Sequence, residues 1–423
     1  MEHRVYITGM GILSSIGKNI NEFTSSLANG NSGIDWMDLD YGEDFPVRIG
    51  AQLKGLSTRT LMDELQNAPG KIAARVKKVS ARAPYSLQAT LLPVIEAWHD
   101  ADLDAAAVEP DKISLVVAGS NISQQYQYSI YKKYAGSLQY VTPSYTLHFM
   151  DTDQVGTITE LLNIHGEGLS VGGASAGGNV ALIKGFQAIK FGICDVCIVV
   201  GPLTDLSPLE LQGFYNLGAL GGKNFHNNPS KACRPFDKSH EGFIYGQAAG
   251  CVVLESDQSA SKRNARVYAQ LLGGSIVCAG NHLSDPSEDA EVKAMTNAIE
   301  NANIHRSEIQ YINAHATSTP MGDMAEASAI KRVFGQTPDK IWINATKGFT
   351  GHCLYSAGVI EAIATVIQMN KGFLHGNKNL YEPIDSSCRF CGRSLEHAEI
   401  NIAMSNSFAF GGINTSIIIK RGM

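Results

Sequence analysis

What most limits the fold of this chain is a pattern that runs twice. Strand-like apolar runs at 4–8, 113–119, 196–200 and 248–255 alternate with stretches of helical spacing at 19–27, 86–101 and 180–190. The order then restarts, with strands at 267–272, 309–314 and 341–345 and helices at 288–301, 323–333 and 357–370, before a closing strand pair at 400–405 and 414–420. Such alternation is what helices packed on mainly parallel sheets require. A strand at the start of each portion and a similar order of elements point to a duplicated α/β unit. The most linker-like stretch is the polar run 257–264, which divides the chain into halves 1–256 and 257–423. Residues 33–53 have poor periodicity and read as a surface excursion. Residues 120–165, with Tyr126, Tyr128, Tyr131, Tyr134 and Tyr140 close together, read as the lining of a subunit or substrate surface.

Charge and cysteine usage remove several functions. A formal net charge of -6 gives no basic balance of the kind that nucleic acid binding needs. No apolar run is long enough to cross a bilayer, and residues 1–9 pass into a strand without a secretory pattern, so a cytoplasmic, non-membrane protein is expected. Eight cysteines in such a chain are expected as free thiols. Cys194 and Cys197 have C-x-x-C spacing within a run that reads as a buried strand, where residues three apart face opposite sides and cannot share a metal. Cys388 and Cys391 repeat the spacing in a polar loop without a partner set, so no metal site is expected.

Chemistry concentrates at three strand ends. The run Ser170-Val-Gly-Gly-Ala-Ser175-Ala-Gly-Gly-Asn179 reads as a strand-turn-helix junction with Ser175 where the helix begins, where free backbone N–H groups face whatever is bound. Gly173-Ala-Ser175-Ala-Gly177 also fits the G-x-S-x-G pattern, a weak signal in a chain with 42 glycines. His315 follows one strand and His352 lies in a segment that follows another. Loops after the C-terminal ends of parallel strands are where ligand sites form, so both imidazoles can converge on Ser175.

Over nearly its whole length the sequence resembles a β-ketoacyl-acyl carrier protein synthase of the thiolase superfamily. The residues that carry the resemblance are Val5-Tyr-Ile-Thr-Gly-Met-Gly11, Cys233-Arg-Pro-Phe-Asp237 with Glu241-Gly-Phe243, His315-Ala-Thr-Ser-Thr-Pro-Met-Gly-Asp323 with Glu326, Lys347-Gly-Phe-Thr-Gly-His352 with Ala357-Gly358, and Asn406-Ser-Phe-Ala-Phe-Gly-Gly-Ile-Asn414. The resemblance implies a thiolase-like fold, two similar α/β halves in a five-layered α-β-α-β-α core, and a homodimer. It also implies that Lys347 and Glu326 support the two histidines and that Phe408 lies beside a departing carboxylate. The backbone N–H groups of Ser175 and Phe410 would form an oxyanion site, with Thr317 and Thr319 in the substrate-binding set.

One departure decides the expected reaction. Where the family places its acyl-accepting cysteine, this sequence has Ser175. A thiol is readily ionised at a helix start, whereas a hydroxyl needs a general base, and in this family the histidines act mainly as hydrogen-bond donors. Decarboxylation of a malonyl thioester needs only donors aimed at the enolate oxygen. The resemblance therefore narrows to the serine-bearing ketosynthase-like decarboxylases of polyketide β-branching cassettes. These turn malonyl-acyl carrier protein into acetyl-acyl carrier protein for a hydroxymethylglutaryl-CoA synthase-like partner. The alternatives are a condensing enzyme or acyltransferase that uses Ser175, an engineered cysteine-to-serine condensing enzyme, and a non-catalytic partner like a chain-length factor. Gly172, Gly173, Ala316 and Ala409 also differ from the usual residues, which favours natural divergence over engineering. No cofactor is expected beyond the phosphopantetheine that the carrier protein brings. Arg75, Lys77, Lys78 and Arg82 form the densest basic cluster and are the candidate docking face for an acidic carrier protein.

Overall fold

The computed structural model describes residues 3–38, 45–68, 70–106, 108–335 and 340–422. Ten strands form one sheet: β1 (Val5–Ser14), β2 (Ile113–Ala118), β3 (Gly168–Val171), β4 (Val196–Gly201), β5 (Ala248–Ser256), β6 (Ala269–Cys278), β7 (Tyr311–Asn313), β8 (Trp342–Asn344), β9 (Ile402–Ala409) and β10 (Ile413–Arg421). Their order is β8-β7-β9-β10-β6-β1-β5-β4-β2-β3. The two portions of the chain are topological copies. β1 runs antiparallel to β5, β5 antiparallel to β4, and β4 and β3 parallel to β2. β6, β10, β9, β7 and β8 repeat that sequence of directions. The copies meet where β1 pairs with β6, with Tyr6 opposite Gln270.

Five layers follow from where the helices bury their faces. The helices that pack on the two half-sheets are α1 (Tyr85–Asp100), α2 (Thr152–Leu162), α3 (Gly177–Lys190), α4 (Glu288–Asn301), α5 (Pro320–Phe334) and α6 (Ala357–Lys371). α1 and α2 cover the outer face of the first half-sheet, and α4 and α5 that of the second. α3 and α6 lie between the two half-sheets. α6 is apolar nearly all round, as a helix with no solvent face must be, and its residues Ala357 to Met369 are all buried. α3 and α6 meet through glycine. A Cβ on Gly178 would fall 2.6 Å from the Val359 nitrogen, and one on Gly358 would fall 2.5 Å from the Asn179 nitrogen. Only residues without a side chain permit that approach.

The residues expected as a surface excursion are partly core. Ile34, Val47, Ile49, Ala51 and Leu53 are buried, because the segment lies against 244–247, with Ala51 and Tyr245 bonded through their backbones; residues 39–44 lie outside the described residues. The polar run 257–264 contains a short helix, Asp257–Lys262. The geometry expected for the first cysteine pair is also corrected. Cys194 precedes β4 and packs in the same core cluster as Cys197 instead of facing away from it. Cys388 and Cys391 are buried, not set in an open polar loop. Among the described residues no group of three or more His, Cys, Asp or Glu side chains is arranged to hold a metal. No described helix is long and apolar enough to cross a membrane.

Candidate active site

Ser175 stands at the seam between the halves. After β3, Gly172 and Gly173 lead into a single 3-10 turn, Ala174–Ala176, and α3 begins at Gly177. Ala174 has φ 43°, a left-handed conformation costly for a residue with a Cβ. The second copy repeats the geometry: Leu354–Ser356 forms a 3-10 turn, Leu354 has φ 53°, and α6 follows at Ala357.

The Ser175 hydroxyl lies 2.8 Å from His352 Nε2. On the far side of the ring, Nδ1 accepts the Leu354 backbone N–H at 3.4 Å. A neutral imidazole has one donor and one acceptor nitrogen, so this contact leaves the proton on Nε2. The ring then donates to Ser175 and does not take its proton. Burial, reinforced by Lys347, pushes the His352 pKa well below its ordinary value and keeps the ring neutral.

His315 has the same polarity. Lys347 Nζ stands 3.3 Å from its Nδ1, and an ammonium group can only donate, so the His315 proton belongs on Nε2. Burial, then Lys347, then His352 hold this ring neutral as well. The imidazoles stand edge to face with centroids 5.5 Å apart. Lys347 is itself buried and ion-paired with Glu361 on α6. Burial raises the Glu361 carboxyl to about 7, partly opposed by Lys347.

Glu326 fixes the loop that carries His315. Its oxygens accept the backbone N–H groups of His315 at 2.9 Å and Ala316 at 2.7 Å, and Asn406 Nδ2 at 3.1 Å. Burial raises its pKa to about 7. Phe408 lies edge-on to His315 at 5.9 Å. Phe410 is more exposed and faces Phe214. Thr317 and Thr319 are joined through their hydroxyls at 2.9 Å. The Arg234–Asp237 ion pair braces the neighbouring wall, with Asp237 also accepting from the backbone of Tyr381 and Glu382.

These groups surround one cavity of about 380 Å³, lined by Ser175, His315, Thr317, Thr319, His352, Phe408 and Phe410. Lys347 and Glu326 stand behind the lining. The basic cluster does not reach it. Arg75, Lys77 and Lys78 lie on the helix Ala73–Ser80 against α2, with Lys78 paired to Glu160 and Arg75 bonded to the Leu161 carbonyl, and Arg82 lies just beyond. Glu361 was not singled out from the sequence, and Asn406 stood there only as the first residue of a motif, without a role. A signal for Glu361 existed, since it is the one acidic residue in an otherwise apolar helical run.

Two neutral N–H donors converging beside a helix-start serine, inside a duplicated five-layered fold, define a ketosynthase-type centre. Residues 2–260 match the N-terminal domain of beta-ketoacyl synthases and residues 268–381 match the C-terminal domain, and the chain belongs to that family. It is 37% identical to the polyketide biosynthesis malonyl-ACP decarboxylase PksF of Bacillus subtilis, over 98% of this chain and 96% of that protein. It is 32% identical to the chloroplastic 3-oxoacyl-[acyl-carrier-protein] synthase II of Arabidopsis thaliana, over 99% of this chain and 75% of that one. A beta-ketoacyl synthase from Burkholderia phymatum superposes with TM-score 0.85 at 26% identity, and the ishigamide ketosynthase/chain length factor with TM-score 0.87 at 25%, each covering both chains in full.

Proposed function

We propose that this ketosynthase-family enzyme decarboxylates malonyl-acyl carrier protein to acetyl-acyl carrier protein. The carrying observation is the direction of the hydrogen bond at Ser175. His352 Nε2–H donates to the hydroxyl, so no base is in place to make Ser175 a nucleophile, while both imidazoles keep a proton to offer. In the reaction the bond between the α-carbon and the carboxylate breaks and its electron pair moves into the thioester, giving an enolate. His315 and His352 donate to the enolate oxygen, where preorganised donors have their largest effect. Lys347, held by Glu361, fixes the His315 tautomer, and Glu326 fixes its backbone. Backbone N–H groups of Ser175 and Phe410 would offer a further oxyanion site, and Thr317 and Thr319 would meet the pantetheine arm. The name borne by the Bacillus subtilis relative supports the same reading.

The acetyl carrier protein would serve a hydroxymethylglutaryl-CoA synthase-like enzyme in β-branching. Docking on Lys77, Lys78 and Arg82, in a cytoplasmic setting, completes the proposal. A homodimer fits the exposed edge strand β3 and the exposed Leu138, Tyr140, Leu147 and Phe149 nearby.

The 2.8 Å contact favours one rival: in the opposite tautomer His352 would be a base and Ser175 would be acylated. Intact-protein mass spectrometry of malonyl-carrier protein with the enzyme, beside His315→Ala, separates the two. Loss of CO2 from the carrier with no adduct on the enzyme, abolished in the variant, is the expected result. An acyl adduct on Ser175 would favour acyl transfer, and no change on either protein would leave a non-catalytic partner.

A further inference from the structure

One buried acid at the cavity has no part in the scheme above. Glu291, on the first turn of α4, lines the cavity with His315, Thr317, Thr319 and Phe408. It is 1% exposed, and its Oε2 has no hydrogen-bond partner. The first two turns of α4 pack Ala290 and Ala294 against Phe408, which places the helix start that carries Glu291 beside Phe408 at the cavity. Buried carboxyl groups are ordinarily paired. Here the charged groups that act on it are Glu326 on α5, Glu288 on α4, itself held by Arg332, and Asp323 on α5.

The chemistry needs an acid at this place. Once CO2 has left, the α-carbon of the enolate must gain a proton. Neutral imidazoles are poor acids, and theirs are already committed to the enolate oxygen. Glu210, elsewhere on the wall, accepts the Ser207 backbone N–H, and Asp285, also on the wall, is exposed to water.

We propose that Glu291 is the acid that returns a proton to the α-carbon, a role that rests on the decarboxylase reading and completes it. The Glu291 O–H bond breaks, the enolate double-bond pair forms the new C–H bond, and the thioester C=O is restored. Glu291 is left as a carboxylate and regains its proton from water through the open cavity. Burial, with Glu326, Glu288 and Asp323 adding to it, raises the Glu291 pKa well above the ordinary carboxyl range, so the proton is held near neutral pH.

The test uses the full chain with malonyl-carrier protein. Glu291→Gln keeps the shape of the protonated side chain but has no proton to give. Acetyl-carrier formation should fall by about 100-fold, the lower end of general-acid effects. The wild-type rate should decline toward alkaline pH, and the variant should lose that decline. An enolate that waits unprotonated recaptures CO2, so the variant should carry ¹³CO2 into malonyl-carrier protein more than wild type does. Glu291→Asp should recover part of the rate. An unchanged rate and pH profile in Glu291→Gln overturns the assignment, and so does a slower enzyme that keeps the alkaline decline and shows no added exchange. Wild-type enzyme that fails to release CO2 would instead remove the decarboxylase reading itself.

Discussion

The two copies of the fold treat the same junction differently. In the first, Gly172 and Gly173 alone separate β3 from the 3-10 turn, and the middle residue of that turn is Ser175, open to the cavity. In the second, residues 345–353 separate β8 from the matching turn, whose middle residue, Tyr355, lies over Gly119. The longer connection carries Lys347 and His352. One copy therefore presents a short polar side chain at the start of α3, and the other uses its extra residues to build the apparatus around it. Duplication supplied two equivalent backbones, and the inserted segment made them unequal in chemistry.

That division can be broken most severely at His352. His352→Ala removes one of two donors from the enolate oxygen and should lower CO2 release about 100- to 1,000-fold, measured under saturating malonyl-carrier protein. A loss below tenfold would mean that the inserted segment is not where the chemistry resides. The glycine seam comes next. Gly358→Ala should reduce unfolding free energy by about 1–3 kcal/mol, since its Cβ would collide with the α3 backbone. Gly172→Ala, with open space around the added carbon, should stay within about 0.5 kcal/mol in the same denaturant titration. On the reaction itself, the smallest effect is expected at Ser175. Ser175→Ala should leave decarboxylation within about tenfold, equivalent to about 1.4 kcal/mol of barrier.

Titration sharpens the same contrast. Both imidazoles are held well below 6.5. Below about 6.5 the unfolded chain takes up protons at these rings that the folded chain refuses, so their contribution is full above that pH and is lost as the pH falls. Below pH 6.5 the wild type should therefore lose thermal stability that His352→Ala does not lose, while the imidazoles add no acid limb to the rate at about 6.5. An imidazole NMR signal from either ring that titrates at about 6.5 would show that this ring is not buried neutral.

Much of this was legible in the sequence. Strand-end placement put Ser175, His315 and His352 together before any coordinates, because parallel sheets gather the loops after their strands on one side. The twofold order of elements also held, since periodicity is set by which faces are buried. Burial without periodicity was not legible. Residues 33–38 and 45–53 contribute Ile34, Ile49 and Ala51 to the core through a two-residue strand pair and turns, too short to show a period. The expected alternation of Cys194 and Cys197 did not apply, because β4 begins two residues after Cys194. Glu291 was hidden in an acidic first turn, Ser287-Glu-Asp-Ala-Glu291, where glutamates normally serve the helix start and face water. Its burial depends on how α4 lies against Phe408, a tertiary relation with no local signature.

The close approach of Gly178 and Gly358 has a consequence of its own. It brings the first turns of α3 and α6 together beside Ser175, so the positive ends of two macrodipoles act near the same small volume. That field belongs to the paired backbones and to no side chain, and a change from sulfur to oxygen at the nucleophile position leaves it intact. On the proposed reading, such a field stabilises a developing anion without covalent bond-making, so serine in place of a thiol means a change of reaction instead of an end to catalysis.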